Sequence, residues 1–260
     1  MQKLRGTLFL VSYYAVLIFF LIVLLPTILM PRRAIAYMHL YCSHGIRLAQ
    51  KLIMGVTIEV RGLENMPKGS VLVAAKHQSA WETFMLALII RDPSYVLKEE
   101  LMSIPLFGLY MRKLDMVNIV RGSGAEALKR MKESAVNSIR EGRPIVVFPE
   151  GTRTLPGAEP DYKSGVAHLY REFDLPCVPV ALNSGVFWPK NGTPSGPGKI
   201  IVQFGPVIPA GLAPRAFRNR LRDETEAMTD ALLLESADHG WGTLGPLGEA
   251  RVKLLRERTT

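Results

Sequence analysis

Apolar positions dominate the start of the chain and then fall into short runs separated by polar turns. Residues 7–30 form an almost unbroken apolar stretch without a charge, preceded by Lys3 and Arg5 and followed by Arg32 and Arg33. As one helix the stretch is about 36 Å long, enough to cross a bilayer or to lie deep within it. It is too long for the apolar region of a signal peptide, roughly 7–15 residues, and two arginines precede the Ala34-Ile35-Ala36 sequence that mimics a cleavage site. Basic residues on both flanks remove the charge asymmetry that would set an orientation, so a single span and an embedded hairpin leg both fit.

Residues 36–54 mix Tyr37, Leu40, Tyr41, Ile46, Leu48, Leu52 and Ile53 with His39, His44, Arg47 and Lys51. This pattern predicts an amphipathic helix at the membrane interface; a surface helix packed on the following domain gives the same pattern. His39 and His44 lack the four-residue spacing that stacks two ligands on one helix face, so no metal is assigned to them.

From residue 56 onward the period changes. Strands are expected at 56–60, 71–75, 95–98, 116–120, 145–148, 178–182 and 200–204, with helices at 81–90, 125–140, 165–173 and 215–236. The alternation predicts an α/β domain: a largely parallel sheet flanked by helices, carrying an N-terminal membrane-embedded helix and an amphipathic interfacial one. Residues 1–54 are then the membrane-anchoring helices, 55–240 the α/β domain and 241–260 a polar C-terminal tail. The Pro- and Gly-rich stretch 188–199 reads as a surface loop.

Charge narrows the partners. Thirty-two Lys and Arg against 23 Asp and Glu give the 260 residues a net charge of +9. That suits a membrane surface or a phosphorylated substrate. Nucleic acid is excluded, because the basic residues are spread along the chain and no recognition motif appears. Cys42 and Cys177 stand far apart with no metal-ligand spacing. They suit a reducing compartment rather than a disulfide framework.

The candidate chemistry begins where strand 71–75 runs into Lys76-His77-Gln78-Ser79-Ala80-Trp81-Glu82. Open α/β sheets bind ligands at the carboxyl ends of their strands. A histidine there can act as a general base, with a carboxylate holding its ring. On a regular helix His77 and Glu82 stand roughly 140° apart around the axis. They meet only if His77 lies outside the helix and Glu82 in its first turn. The plainer alternative is a capping box, Ser79-x-x-Glu82, in which Glu82 only closes the helix end and His77 is a satisfied turn residue.

Two further strand exits and one helix start carry charge. Phe148-Pro149-Glu150-Gly151-Thr152-Arg153 follows strand 145–148. Its acid and arginine suit a hydroxyl and a phosphate respectively, or simply pair with each other at the surface. Val117-Asn118-Ile119-Val120-Arg121-Gly122 repeats the design, and Lys163-Ser164-Gly165 opens a helix whose N-terminus favours an anion.

Taken in order, these blocks resemble the glycerolipid acyltransferase family, its bacterial members above all. The family's His-x4-Asp is matched by His77-x4-Glu82, and its arginine-ended strand by Val117 to Arg121. Its Phe-Pro-Glu-Gly-Thr-Arg-Ser is matched by Phe148 to Arg153 with Thr154 in the last place, and its Val-Pro-Val strand by Val178-Pro179-Val180. The departure is Glu82 in place of Asp, one methylene longer.

The resemblance implies transfer of a fatty acyl group from acyl-CoA or acyl carrier protein to the sn-2 hydroxyl of lysophosphatidic acid, giving phosphatidic acid. His77 is then the base, oriented by Glu82. Arg121, Glu150, Gly151, Arg153 and Lys163 bind the acceptor, with the basic groups on its phosphate. No metal or redox cofactor is implied. Membrane lipid is the expected surroundings, at a bacterial inner membrane with the catalytic domain in the cytoplasm. The rivals are the same chemistry on another lysolipid such as a lyso-ornithine lipid, a non-catalytic lipid-binding protein, and a hydrolase. A hydrolase would need Ser79 as nucleophile, since no Gly-x-Ser-x-Gly elbow is present.

Overall fold

The structure, a computed structural model, describes residues 2–23, 25–119 and 125–258. Its elements run α1 (Gln2–Val23), α2 (Arg32–Ala49), β1 (Val56–Arg61), β2 (Leu72–Ala75), α3 (Glu82–Ile90), β3 (Ser94–Lys98), α4 (Phe107–Lys113), β4 (Val117–Ile119) and α5 (Ala125–Arg140). There follow β5 (Ile145–Val147), α6 (Ser164–Phe173), β6 (Cys177–Leu182), the single-turn α7 (Ser184–Phe187), β7 (Gly198–Phe204), α8 (Pro214–Asp238) and α9 (Gly245–Glu257).

Seven strands form one sheet in the order β1-β7-β6-β2-β5-β3-β4. All neighbours are parallel except β6 and β7, which run antiparallel. The order decides where chemistry can gather. β2 lies between β6 and β5, with Leu72 in register with both Cys177 and Ile145. The turns that leave β2, β5 and β6 therefore emerge side by side at one end of the sheet.

The sheet is buried on both faces, which is why its central strands read as continuous apolar runs rather than alternating ones. Val71, Val73 and Ala75 pack in one cluster with Phe9, Ile35, Ile46, Trp81 and Met85. Leu72 and Ala74 face the other way, into a cluster with Val166, Leu169, Tyr170, Phe217 and Leu221. The N-terminal helices thus share a core with the α/β layer.

The long apolar stretch is not one helix. α1 begins earlier than the hydropathy pattern places it and stops at Val23, and a short 3-10 turn covers Leu25–Leu29. Pro26 accounts for the break, since it lacks an amide donor and restricts the residue before it. α2 continues through a π-helical turn at Gln50–Met54. One face packs on the domain, as a surface helix would: Ile35, Met38, Cys42 and Ile46 are buried, while Tyr37, Tyr41, Leu48 and Leu52 are exposed. Arg32 fixes the start of α2 through paired bonds to Asp92 (2.9 Å each) and a bond to Glu141 (2.8 Å).

Three helices lie where the sequence pattern gave none, the single-turn α7 among them. α4 spans one short segment after β3. The expected polar tail is largely helix α9, docked on α8 by Arg251, whose guanidinium reaches Asp230 at 2.9 and 2.7 Å.

Candidate active site

α3 starts at Glu82, and the five preceding residues form a turn outside the helix. His77 and Glu82 can therefore face each other, and they do: Nδ1 of His77 lies 3.5 Å from Oε2 of Glu82. Glu82 is wholly buried. Its Oε1 accepts from the Gln78 N–H (3.1 Å), the Ser79 N–H (2.9 Å) and the Ser184 hydroxyl, and its Oε2 accepts from the Ser79 N–H (3.0 Å). The same carboxylate thus closes the helix N-terminus and confronts the imidazole, so the two readings of Glu82 describe one residue with two contacts.

The turn is held from several sides. The His77 ring stacks on Phe148 with centroids 4.1 Å apart and an interplanar angle of 18°. Its carbonyl accepts from the Thr154 N–H at 2.8 Å, tying it to the loop after β5. The buried Trp81 indole N–H donates to Oε1 of Gln50 (2.9 Å), so the π-helical turn below α2 braces the site turn. One edge of the imidazole stays open, with 16% of the side chain exposed. Ser79 is wholly buried, and its Oγ accepts from the Trp81 N–H (3.2 Å), so it caps the turn.

The loop after β5 brings its residues to different places. Gly151 has φ +63°, a left-handed turn that a side chain would strain. It exposes the tip of the loop beside Lys163, whose Cγ would lie 3.9 Å from a Cβ at Gly151. Arg153 is half-buried and has no hydrogen-bonded or ion-paired partner among the described residues; its charge reaches Tyr13 on α1. Lys163 is exposed and pairs with Asp161.

Glu150 points inward. It is buried, and Oε1 accepts from Lys76 Nζ at 2.7 Å, while the Thr154 hydroxyl lies 3.2 Å from each carboxylate oxygen. Lys76 Nζ also donates to Oε1 of Glu226 (2.6 Å), which accepts from the Tyr162 hydroxyl (2.8 Å). Burial, and then the charge of Glu226, pushes the Tyr162 phenol well above its ordinary pKa. Glu150 therefore lies beneath the site, with its oxygens engaged by the fold. Arg121 falls outside the described residues.

Sequence reasoning missed Lys76, Ser184 and Lys190, whose Nζ lies 3.3 Å from Oγ1 of Thr152. Lys76 left a signal: a lysine closing a fully apolar strand needs a buried counter-charge. Ser184 and Lys190 left none, because their partners are remote in sequence. Among the described residues no three His, Cys, Asp or Glu side chains gather in a way that could hold a metal ion.

Comparison with known proteins identifies the family. The Acyltransferase family model matches residues 57–183, from β1 to the end of β6. The 1-acyl-sn-glycerol-3-phosphate acyltransferase of Pseudomonas aeruginosa is 36% identical over 196 residues, covering 75% of this chain and 76% of that one. The yeast enzyme of that name, from Saccharomyces cerevisiae, is 31% identical over 137 residues, covering 52% of this chain and 45% of its own. Among solved structures, the 1-acyl-sn-glycerophosphate acyltransferase of Thermotoga maritima shares the fold, with a TM-score of 0.70 at 21% identity over 89% of this chain and 98% of that one. The family model spans each strand whose exit builds the site, and the Pseudomonas relative carries the likeness across three quarters of both chains: this chain belongs to the acyltransferase family.

Proposed function

We propose that the protein transfers a fatty acyl group from an acyl thioester, on coenzyme A or acyl carrier protein, to the sn-2 hydroxyl of lysophosphatidic acid, forming phosphatidic acid. The observation that carries the reading is the imidazole of His77, backed by Glu82 at the carboxyl end of β2 and open at its other edge. The names of the Pseudomonas and yeast relatives support the acceptor.

A hydroxyl attacks a thioester poorly until a base removes its proton as the new bond forms. With Nδ1 turned to Glu82, Nε2 takes that proton while the hydroxyl oxygen bonds to the carbonyl carbon. The tetrahedral oxyanion collapses, the C–S bond breaks, and the departing thiolate takes the proton back from the imidazolium. Glu82 stabilises the imidazolium meanwhile, the role of the acid in a Ser-His-Asp triad. The acceptor is itself the nucleophile, so no covalent enzyme intermediate is needed. Arg153, Lys163 and Lys190 are the cations we assign to the acceptor phosphate, with Arg121 retained from the sequence reading; Gly151 keeps the loop tip open to it, and Glu150 secures that loop from beneath.

We infer that α1 embeds in one leaflet rather than crossing the bilayer. Phe9 and Tyr13 pack edge-on against Trp188 at 5.4 and 4.8 Å, and the Tyr110 hydroxyl donates to the Leu21 carbonyl (3.3 Å). α1 is thus held to the domain at its middle and near its C-terminal end, and a crossing helix would draw the domain in with it. Leu4, Leu8, Val11, Ile18 and Ile22 remain exposed on its outer side, continuous in character with Tyr37, Tyr41, Leu48 and Leu52 of α2. The two cysteines are free and buried, which suits the cytoplasmic face of a bacterial inner membrane.

The test is acyl transfer by the detergent-solubilised protein to lysophosphatidic acid and to a phosphate-free lysolipid offered in parallel. Preferential formation of phosphatidic acid supports the reading. Transfer to the phosphate-free acceptor alone would replace the substrate with one of the lyso-ornithine kind, and thioester consumption with neither acceptor acylated would favour a hydrolase.

A further inference from the structure

The Glu82 carboxylate is buried with no lysine or arginine beside it among the described residues. Its orientation therefore depends on neutral donors. Two of these, the N–H groups of Gln78 and Ser79, belong to its own turn. The third, the Ser184 hydroxyl, comes from the exit of the neighbouring strand β6. A glutamate has three side-chain torsions, and donors clustered on one turn fix its oxygens without fixing its tilt. A donor from a separate element supplies the missing constraint.

The loop that carries Ser184 is itself anchored on both sides of it. Asn183 accepts the Ile201 N–H (2.8 Å) through Oδ1 and donates to Ser236 Oγ (2.9 Å) through Nδ2. Gly185 donates its N–H to Oε1 of Gln78 at 3.0 Å. The approach is close enough that a Cβ on Gly185 would fall 2.8 Å from the Gln78 Cβ. Three consecutive residues thus tie β6 to β7 and α8, to Glu82, and to the turn carrying His77.

We propose that Ser184 is a positioning residue: it sets the tilt of Glu82, and through Oε2 of Glu82 the orientation of the His77 ring. The inference rests on the reading of His77 and Glu82 as a working pair. Ser184 is wholly buried, and its role is to keep the longer acid aimed at Nδ1.

The experiment is a double-mutant cycle on purified protein, with kcat and KM measured for lysophosphatidic acid and acyl-CoA. Ser184→Ala is expected to lower kcat roughly tenfold, a fraction of what a misplaced reacting group loses, with both KM values little changed. In the Glu82→Gln background, whose own kcat is already reduced, Ser184→Ala is expected to remove almost nothing more. Thermal unfolding of each variant separates this from loss of folded enzyme. Wild-type kcat in Ser184→Ala overturns the proposal. An equal factor lost in both backgrounds also overturns it, since a purely structural serine would act independently of the acid. If Glu82→Gln alone retains full activity, the His77–Glu82 reading fails and takes the inference with it, an outcome distinct from the other two.

Discussion

Nζ of Lys76 lies 2.7 Å from Oε1 of Glu150 and 2.6 Å from Oε1 of Glu226, so the residue next to the candidate base is joined to the start of the loop after β5 and to α8. Lys76 and Glu150 are almost completely excluded from solvent. Such a pair adds little when compared with an apolar replacement of both partners, yet breaking it strands a buried charge. Lys76→Met is expected to destabilise the fold by about 3–5 kcal/mol. Adding Glu150→Gln should restore part of the loss. Chemical denaturation in detergent, followed by circular dichroism, reads both; equal stability of the single and double variants would contradict the coupling.

Arg153 separates acceptor binding from catalysis. It stands beside the loop tip without a protein partner among the described residues. Loss of a charge-assisted bond worth about 1.5–3 kcal/mol corresponds to a rise in KM for lysophosphatidic acid of roughly tenfold or more in Arg153→Ala. Lys163→Ala and Lys190→Ala should do less, because Lys163 is exposed and pairs with Asp161 while Lys190 is already bonded to the Thr152 hydroxyl. Steady-state kinetics with a phosphate-free lysolipid is the control, where the same substitutions should leave KM unchanged.

His39 gives stability a pH dependence. Burial drives its pKa down to about 4, opposed by the charge of Asp92. Between the ordinary value near 6.5 and that lowered value, the unfolded chain binds a proton that the folded chain refuses. Stability should therefore fall as pH is lowered through this window, by at most about 3 kcal/mol, and level off below it. His39→Phe should flatten that limb in denaturation curves taken from pH 7 to 4.

Both thiols should be inert in the folded protein. Burial pushes Cys42 up to about 12 and Cys177 higher still. Since the thiolate is the reactive form, neither should be alkylated at pH 8 until denaturant is added. Mass spectrometry of iodoacetamide-treated protein counts the adducts, and labelling of the native chain would contradict the packing around α2 or β6.

The parts of this architecture that follow local rules were legible in the sequence. Strand 71–75 reads from an apolar run, and the exit turn of β5 from Pro149 and Gly151. The meeting of His77 and Glu82 follows from where α3 must start. Glu150 shows the limit: its place in the motif suggested a group facing the acceptor, but whether a carboxylate points out or in depends on Lys76, far away in sequence. Ser184 was invisible for the same reason, since only the β6-β2 adjacency brings it to Glu82. α9 was read as tail because its apolar positions are few; Gly248 and Val252 acquire meaning only against the neighbours they pack on. Pro26 was visible throughout, and the unbroken hydropathy around it hid the break it imposes.

The most direct test of the central claim is the rate of phosphatidic acid formation by His77→Ala beside the wild type, from a labelled acyl thioester and lysophosphatidic acid. Removing a general base is expected to lower kcat by about 10²–10⁴-fold while the circular dichroism spectrum stays that of the folded protein. A folded His77→Ala enzyme that forms phosphatidic acid at the wild-type rate would contradict the account.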